Sequence, residues 1–98
     1  MNEKKTLRQH RLLFICLGNI CRSPAAEGVM KALASAAGRS ADFHIDSAGI
    51  GDWHVGQLPD IRMRRRGALR GYNFDSHARQ IRRSDFKDFD LLLVMDAS

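Results

Sequence analysis

Six apolar residues in a row, Leu12 to Leu17, run directly into a short polar stretch that ends in Ser23-Pro24. An unbroken apolar run of this length suits a strand covered on both faces in a parallel sheet. Helix signals follow at once. Ser23 is a good N-cap, Pro24 fits the first helical position, and Ala26, Val29, Met30, Leu33 and Ala37 form a stripe at helical spacing. Glu27 and Lys31 make an i,i+4 pair away from that stripe, and Gly38 supplies a stop. A buried strand feeding a helix through a tight loop is the opening of a β-α-β unit, which constrains the fold more than any other feature of the chain.

The rest of the sequence completes that pattern. Ala41 to Asp46 alternate around Phe43 and Ile45 as a second strand, and the glycine-rich loop SAGIGDWHVGQLPD follows with Trp53 at its centre. Residues 60–70 read as a second helix between Pro59 and Gly71. Its Ile61, Ala68, Leu69 and Tyr72 share a face, with Arg65 inside that face and obliged to snorkel. Asp85 to Phe89 reads as a turn or helical fragment, and Leu91 to Met95 as a third apolar strand. The order β-α-β-α-β predicts an α/β fold with a parallel sheet and right-handed crossovers. Ligands of such sheets bind beyond the carboxyl ends of the strands, where Cys16 lies. Residues 1–11 read as a loose tail and 12–98 as one domain.

Size and charge narrow the function classes. A chain of 98 residues forms one small domain with little stability to spare. Hydrophobic residues at 44% and charged residues at 28% exclude a disordered composition. No apolar run approaches a membrane span, and the charged N-terminus leads into too short an apolar stretch for a secretory signal. The chain therefore reads as cytoplasmic with no membrane partner, and its two cysteines serve chemistry more readily than cross-linking. The net charge is +5, and 12 of the 16 basic residues are arginine. Five of these crowd into Arg62, Arg64, Arg65, Arg66 and Arg70. Guanidinium suits phosphate, although a solvated helix face is the simpler reading of the cluster. Charge alone attracts RNA or DNA non-specifically, but Trp53 and Tyr72 do not interleave with the arginines, so no specific nucleic-acid partner is expected. His10, His44, His54 and His77 lack metal-ligand spacing, and no metal or cofactor is expected.

The loop between strand and helix carries the chemistry. Cys16 and Arg22 stand in the pattern Cys-x5-Arg-Ser. A loop of that length can turn successive N–H groups of Leu17, Gly18, Asn19, Ile20, Cys21 and Arg22 toward one centre, forming an anion nest. The helix N-terminus adds unsatisfied N–H groups and a favourable dipole. Arg22 can grip two phosphate oxygens, and the same positive surroundings hold Cys16 as thiolate. A thiolate beneath a bound phosphate is placed to form a phosphocysteine. Gly18 lets backbone approach the ligand, and Asn19 tolerates a left-handed conformation. The competing reading of Cys16 and Arg22 is a buried structural cysteine beside a surface arginine.

The stretch Cys16-Leu-Gly-Asn-Ile-Cys-Arg-Ser-Pro24 resembles the signature loop of the low-molecular-weight protein tyrosine phosphatases. The similarity continues through Asp46–Gly56, Leu58–Phe74 and Ala78–Asp96. The resemblance implies a three-layer Rossmann-like fold with strand order 2-1-3, a cysteine-dependent phosphotyrosine phosphatase and a phosphoprotein partner. It makes Cys16 the nucleophile, Arg22 the phosphate clamp, and Ser23 the group that hydrogen-bonds the sulfur and helps it leave. Asn19 would lock the loop with Ser47 as a support, and Trp53 would form the rim beside a flat aryl substrate. Cys21 would pair reversibly with Cys16 under oxidants.

Two departures from the family pattern stand out. Where the family often has a histidine behind the loop, this chain has Ser76, with His77 shifted by one, so the supporting network is expected to be rewired. The family also continues through a fourth strand and an Asp-Pro loop whose aspartic acid protonates the leaving group. No residue here matches that acid, and neither Asp52 nor Asp96 has a positive claim to the role. The expectation is a truncated or incompletely represented enzyme with impaired turnover, or a phosphate-binding remnant. Phosphoarginine hydrolysis is the nearest alternative, although relatives with that activity tend to carry Thr where this loop has Ile20. Arsenate reduction on the same scaffold needs further cysteines to relay a disulfide, and only Cys16 and Cys21 are present.

Overall fold

The computed structural model describes residues 9–95. Strand β1 (His10–Cys16) leads into helix α1 (Arg22–Ala36), a 3-10 turn (Ser40–Asp42) and strand β2 (Phe43–Gly49). Helix α2 (Ile61–Leu69), a single-turn helix α3 (Asp85–Asp88) and strand β3 (Leu91–Val94) follow. The three strands are parallel in the order β2-β1-β3, the α/β arrangement expected. The most continuously apolar strand takes the centre because it alone must bury both faces.

Side chains alternate across the sheet, so Leu13 and Ile15 of β1 share a face with Ala48 of β2. They form the core with Phe89, and Ile81 and Leu92 pack against it. Leu13 and Ala48 are wholly excluded from solvent. Truncating a buried leucine such as Leu13 costs about 2–5 kcal/mol. Helix α1 packs on β1 and β2, with its buried side on the face that carries Ser47. It ends as Gly38 predicts. Gly38 adopts φ 70° and donates its N–H to the Ser35 carbonyl, while Arg39 N–H reaches the Ala34 carbonyl at 2.8 Å. These two bonds satisfy carbonyls that the helix itself leaves open.

Several local expectations change. Strand β1 begins at His10 and ends at Cys16, so the expected tail loses its last two residues and Leu17 belongs to the loop. Residues 1–8 of that tail lie outside the described residues. The second strand starts at Phe43 rather than Ala41, because Ser40–Asp42 turn first and Arg39 Nε pairs with Asp42 at 2.9 Å. The third strand ends at Val94, although Met95 N–H still reaches the Ile15 carbonyl.

Helix α1 does not bury its apolar stripe. Its buried residues are Ser23, Pro24, Glu27 and Ala34, and Leu33 is exposed. A polar network occupies the face toward the sheet, so the helix turns its small and charged positions inward. Ser23 is not the N-cap. Cys21 holds that position, and the Ser23 hydroxyl is used elsewhere. Helix α2 likewise exposes Ile61, Ala68 and Leu69 and buries Gly67, and Arg65 stands in solvent without snorkelling. The reason is Phe74, whose ring fills the gap between the two helices. A Cβ on Gly28 of α1 would come within 2.4 Å of one side of that ring, and a Cβ on Gly67 of α2 within 2.4 Å of the other. Only glycine at both positions lets the helices close on the ring.

Candidate active site

The carboxyl end of β1 opens into residues 17–21, which wrap the Cys16 sulfur. Register places Cys16 beside Gly49, and a side chain at Gly49 would meet the Gly18 carbonyl carbon at 3.0 Å and Asn19 N at 3.1 Å. The loop therefore lies directly on the β2 backbone. Asn19 takes φ 58°, the left-handed conformation that suits its type. The Ile50 and Gly51 amides donate to the Cys16 and Leu17 carbonyls at 3.0 and 2.9 Å, and the Asp60 amide donates to the Ile20 carbonyl at 2.8 Å. Residues 78–81 fasten the other side, with Gly49 donating to the Arg79 carbonyl and Ile81 to the Gly49 carbonyl.

Behind the loop the hydrogen bonds fan out from the Asn19 amide in two directions. Ser47 Oγ lies 2.5 Å from Glu27 Oε1, and a carboxylate can only accept, so Ser47 donates. Ser47 Oγ then accepts from Asn19 Nδ2 at 2.9 Å. The second Asn19 N–H goes to Ser23 Oγ at 2.8 Å. Ser23 thereby keeps its own hydroxyl proton for Cys16 Sγ, 2.9 Å away. The Asn19–Ser23 arm thus points donation at the sulfur, while the Asn19–Ser47 arm ends on the Glu27 carboxylate.

The remaining groups are held from outside this chain. Asn19 Oδ1 accepts from the Arg79 backbone N–H at 2.9 Å. Arg79 itself spans two acids, with Nη1 and Nη2 each 3.0 Å from an oxygen of Asp85 and Nε 3.1 Å from Asp46 Oδ2. Lys31 Nζ closes on Glu27 Oε2 at 2.6 Å. Among the described residues, no buried side-chain nitrogen or oxygen lacks a partner. Asn19 takes its support from the Arg79 main chain, while His77 is exposed and Ser76 half-buried. Glu27, Arg79, Asp46 and Asp85 were not singled out by sequence reasoning. Their one signal was the Glu27–Lys31 spacing, which reads as a surface pair.

These contacts separate the two thiols. Burial pushes the Cys16 thiol up, but the Ser23 hydroxyl and the backbone N–H groups of Ser23, Asn19 and Cys21 together outweigh it, and the net direction is down. Burial also pushes Cys21 up, and the charges of Asp60 and Cys16 push the same way against Arg22 and Arg62. Cys16 is buried, Cys21 is exposed, and both are free thiols.

Above the loop is a cleft of about 240 Å³ lined by Cys16, Leu17, Gly18, Ile20, Cys21, Arg22, Trp53 and His54. Trp53 is 65% exposed and lines the cleft, with its ring also lying against Gly51 of its own loop. His54, to which the sequence assigned no role, stands over Gly18, with Nδ1 3.1 Å from Gln57 Oε1. Ser47 and Asn19 sit behind the loop rather than in the cleft. Among the described residues no Asp or Glu lines the cleft, and no cluster of three His, Cys, Asp or Glu side chains could hold a metal. Asp52 is absent from the cleft lining, and Asp96 lies outside the described residues.

Comparisons with known proteins agree with this geometry. The profile of the family described as low molecular weight phosphotyrosine protein phosphatase matches residues 11–98. A candidate low molecular weight protein-tyrosine-phosphatase of Synechocystis is 52% identical over 86 residues, covering 88% of this chain and 55% of that one. A crystal structure of a protein tyrosine phosphatase from Entamoeba histolytica superposes with a TM-score of 0.88 at 50% identity, over 90% of this chain and 56% of that one. The crystal structure of a Drosophila arginine phosphatase gives 0.83 at 38% identity, over 87% and 54%. The chain thus spans little more than half the length of the relatives it matches. With its signature loop, sheet order and profile match in agreement, the chain belongs to the low molecular weight phosphotyrosine protein phosphatase family.

Proposed function

We propose that this chain is a cysteine-dependent phosphomonoester hydrolase that acts on protein phosphotyrosine through a phosphocysteine intermediate. The observation that carries the reading is the donor arm from Asn19 through Ser23 to Cys16 Sγ, which favours the thiolate at the floor of an aryl-sized cleft. The phosphate enters over the loop, where the N–H groups of residues 17–22 and the Arg22 guanidinium take its oxygens. Cys16 Sγ attacks phosphorus, the S–P bond forms, and the P–O bond to the aryl group breaks. Water then attacks the phosphocysteine, the P–S bond breaks, and inorganic phosphate departs while Ser23 stabilises the returning thiolate. Trp53 flanks the ring of the leaving group. Under oxidants, a Cys16 sulfenic acid condenses with the Cys21 thiol, releasing water and leaving a disulfide that protects the nucleophile. Such chemistry requires a reducing compartment, and the cytoplasm provides one.

Hydrolysis of para-nitrophenyl phosphate beside a phosphotyrosine peptide tests this reading. Nitrophenolate leaves unaided, whereas tyrosinate needs a proton, and a missing general acid lowers the rate by about 10² to 10⁴. Turnover of the nitrophenyl ester that disappears in Cys16→Ser supports the mechanism. Equal turnover of both substrates supports it too, with the acid drawn from beyond the cleft residues described here. No turnover of either refutes catalysis and leaves a phosphate-binding remnant.

Phosphoarginine is the second reading, kept open by the similarity to the Drosophila arginine phosphatase. Ile20 projects its bulk into the cleft and favours a flat ring. Faster turnover of phosphoarginine than of phosphotyrosine by the unaltered protein would reverse the preference, and Ile20→Thr is expected to move it in that direction.

A further inference from the structure

A second cleft does not contain the nucleophile. It has a volume of about 470 Å³, lies between α1 and α2, and is lined by Arg62, Arg66 and Arg70 with Met63, Tyr72 and Phe74 among its walls. The arginine cluster of the sequence is thereby divided, since Arg64 and Arg65 do not line it. Arg62 and Arg66 stand four residues apart on one face of α2, about 6 Å apart along the axis, and Arg70 follows as the residue that caps the helix. None of the three side chains forms a hydrogen bond or ion pair among the described residues. Asp60 is the one acid in the lining, and its carboxylate is engaged by the Met63 N–H at the start of α2. The cleft is thus a row of three cations over an apolar floor, with the Asp60 carboxylate the one opposing charge among its described lining residues.

Its position links it to the loop. Asp60 lines the arginine cleft and Ile20 lines the catalytic one, and the Asp60 amide donates to the Ile20 carbonyl at 2.8 Å. The two clefts share that wall. An extended peptide presents every second side chain on the same side at intervals of about 7 Å, close to the spacing of the arginines. We propose that this cleft takes an acidic flank of the phosphoprotein substrate, an extended segment with carboxylates or further phosphates at alternate positions beside the phosphotyrosine. The proposal rests on the phosphotyrosine reading above and adds a substrate class to it. Electrostatic pairing of this kind selects among partners and speeds their capture.

The test is the affinity of two labelled peptides, read by fluorescence anisotropy. Each carries a non-hydrolysable phosphonate in place of phosphotyrosine, one with Asp at alternate flanking positions and one with Asn there. Three partly solvated pairs are expected to favour the acidic peptide by about tenfold. That ratio is expected to fall toward one in a variant combining Arg62→Gln, Arg66→Gln and Arg70→Gln, and part-way in Arg66→Gln alone. A variant combining Arg64→Gln, Arg65→Gln and Arg83→Gln removes the same charge outside the cleft and is expected to keep the preference. Equal affinity for both peptides overturns the proposal, as does equal loss in the two triple variants. Tight binding of inorganic triphosphate with no peptide preference also overturns it, assigning the cleft to a small free polyanion. Failure of nitrophenyl phosphate turnover refutes the catalytic reading separately, because the peptide ratio needs no turnover.

Discussion

Glu27→Gln is the sharpest probe of the network behind the loop, because it keeps the shape and removes only the charge. Glu27 is 3% exposed and accepts from Ser47 on one oxygen and from Lys31 on the other. A glutamine offers one acceptor and one donor group in their place. If its oxygen faces Ser47, its amide N–H groups face the Lys31 ammonium. If its nitrogen faces Ser47, the Ser47 oxygen must accept from both sides and its hydroxyl proton loses its partner. Either way one donor is unmet. A bond to a charged group is worth about 1.5–3 kcal/mol against about 1 for a neutral one. Lys31 is half in solvent, so its pair with Glu27 adds less than about 1 kcal/mol. The expected loss is about 2 kcal/mol, or a fall in Tm of about 10 °C for a domain of this size. Thermal unfolding by circular dichroism measures it, with Lys31→Met as the control that removes the exposed pair alone. Iodoacetamide alkylation of Cys16 in the same variant is expected to slow, since Ser47 then holds Asn19, and through it Ser23, less firmly. A Glu27→Gln protein no less stable than Lys31→Met, with unchanged alkylation, would refute the network as drawn.

Limiting iodoacetamide near neutral pH is expected to label Cys16 ahead of Cys21, because the first thiol is shifted down and the second up. Peptide mapping that finds the label mainly on Cys21 would contradict this. Asp85 is pushed up by burial, but the Arg79 fork and the Arg82 N–H outweigh that and hold it below the ordinary carboxylate range. Its stabilising contribution is therefore complete above the unfolded-state value of about 3.9 and is lost as the pH falls through the lower folded-state value. Asp85→Asn is expected to cost about 3 kcal/mol at pH 7, with the difference from the unaltered protein shrinking in strong acid, as urea midpoints at several pH values will show. Gly28→Ala gains up to about 1 kcal/mol of helix propensity but forces a methyl group against Phe74, at a cost of about 1–3 kcal/mol. A net loss that Phe74→Leu partly reverses is the expected outcome of that double-mutant cycle.

The parts of the fold and site that were legible are those in which neighbours in sequence act on one another. The apolar run at Leu12–Leu17, the Cys16–Arg22 spacing, the αL-tolerant Asn19 and the stop at Gly38 each carry their meaning within a few residues. Glu27 shows the opposite case. Beside Lys31 it reads as an ordinary surface pair, and only Ser47, twenty residues on, gives it a reason to be buried. The apolar stripe of α1 is readable from its spacing, but the face that meets the sheet is the polar one carrying Ser23 and Glu27. Arg79 was hidden for another reason. It is one of 12 arginines, and nothing local marks it as the one whose fork meets Asp46 and Asp85. The face of α2 was misassigned because its packing rests on the absence of a side chain at Gly67, which no periodicity of apolar residues can signal.

The Phe74 ring between Gly28 and Gly67 joins two parts of the molecule with very different tolerance for change. On the α1 side, Ser23 and Glu27 are buried and bonded, so any replacement there disturbs the loop. On the outer side of α2, Arg62, Arg66 and Arg70 face solvent, where substitutions usually shift stability by less than about 0.5 kcal/mol. The buried network and the exposed arginine face are thus separate parts, pinned together by one aromatic ring. The charge of the outer helix can drift, or be rewritten by design from basic to acidic, while the loop and the Cys16 sulfur stay where they are.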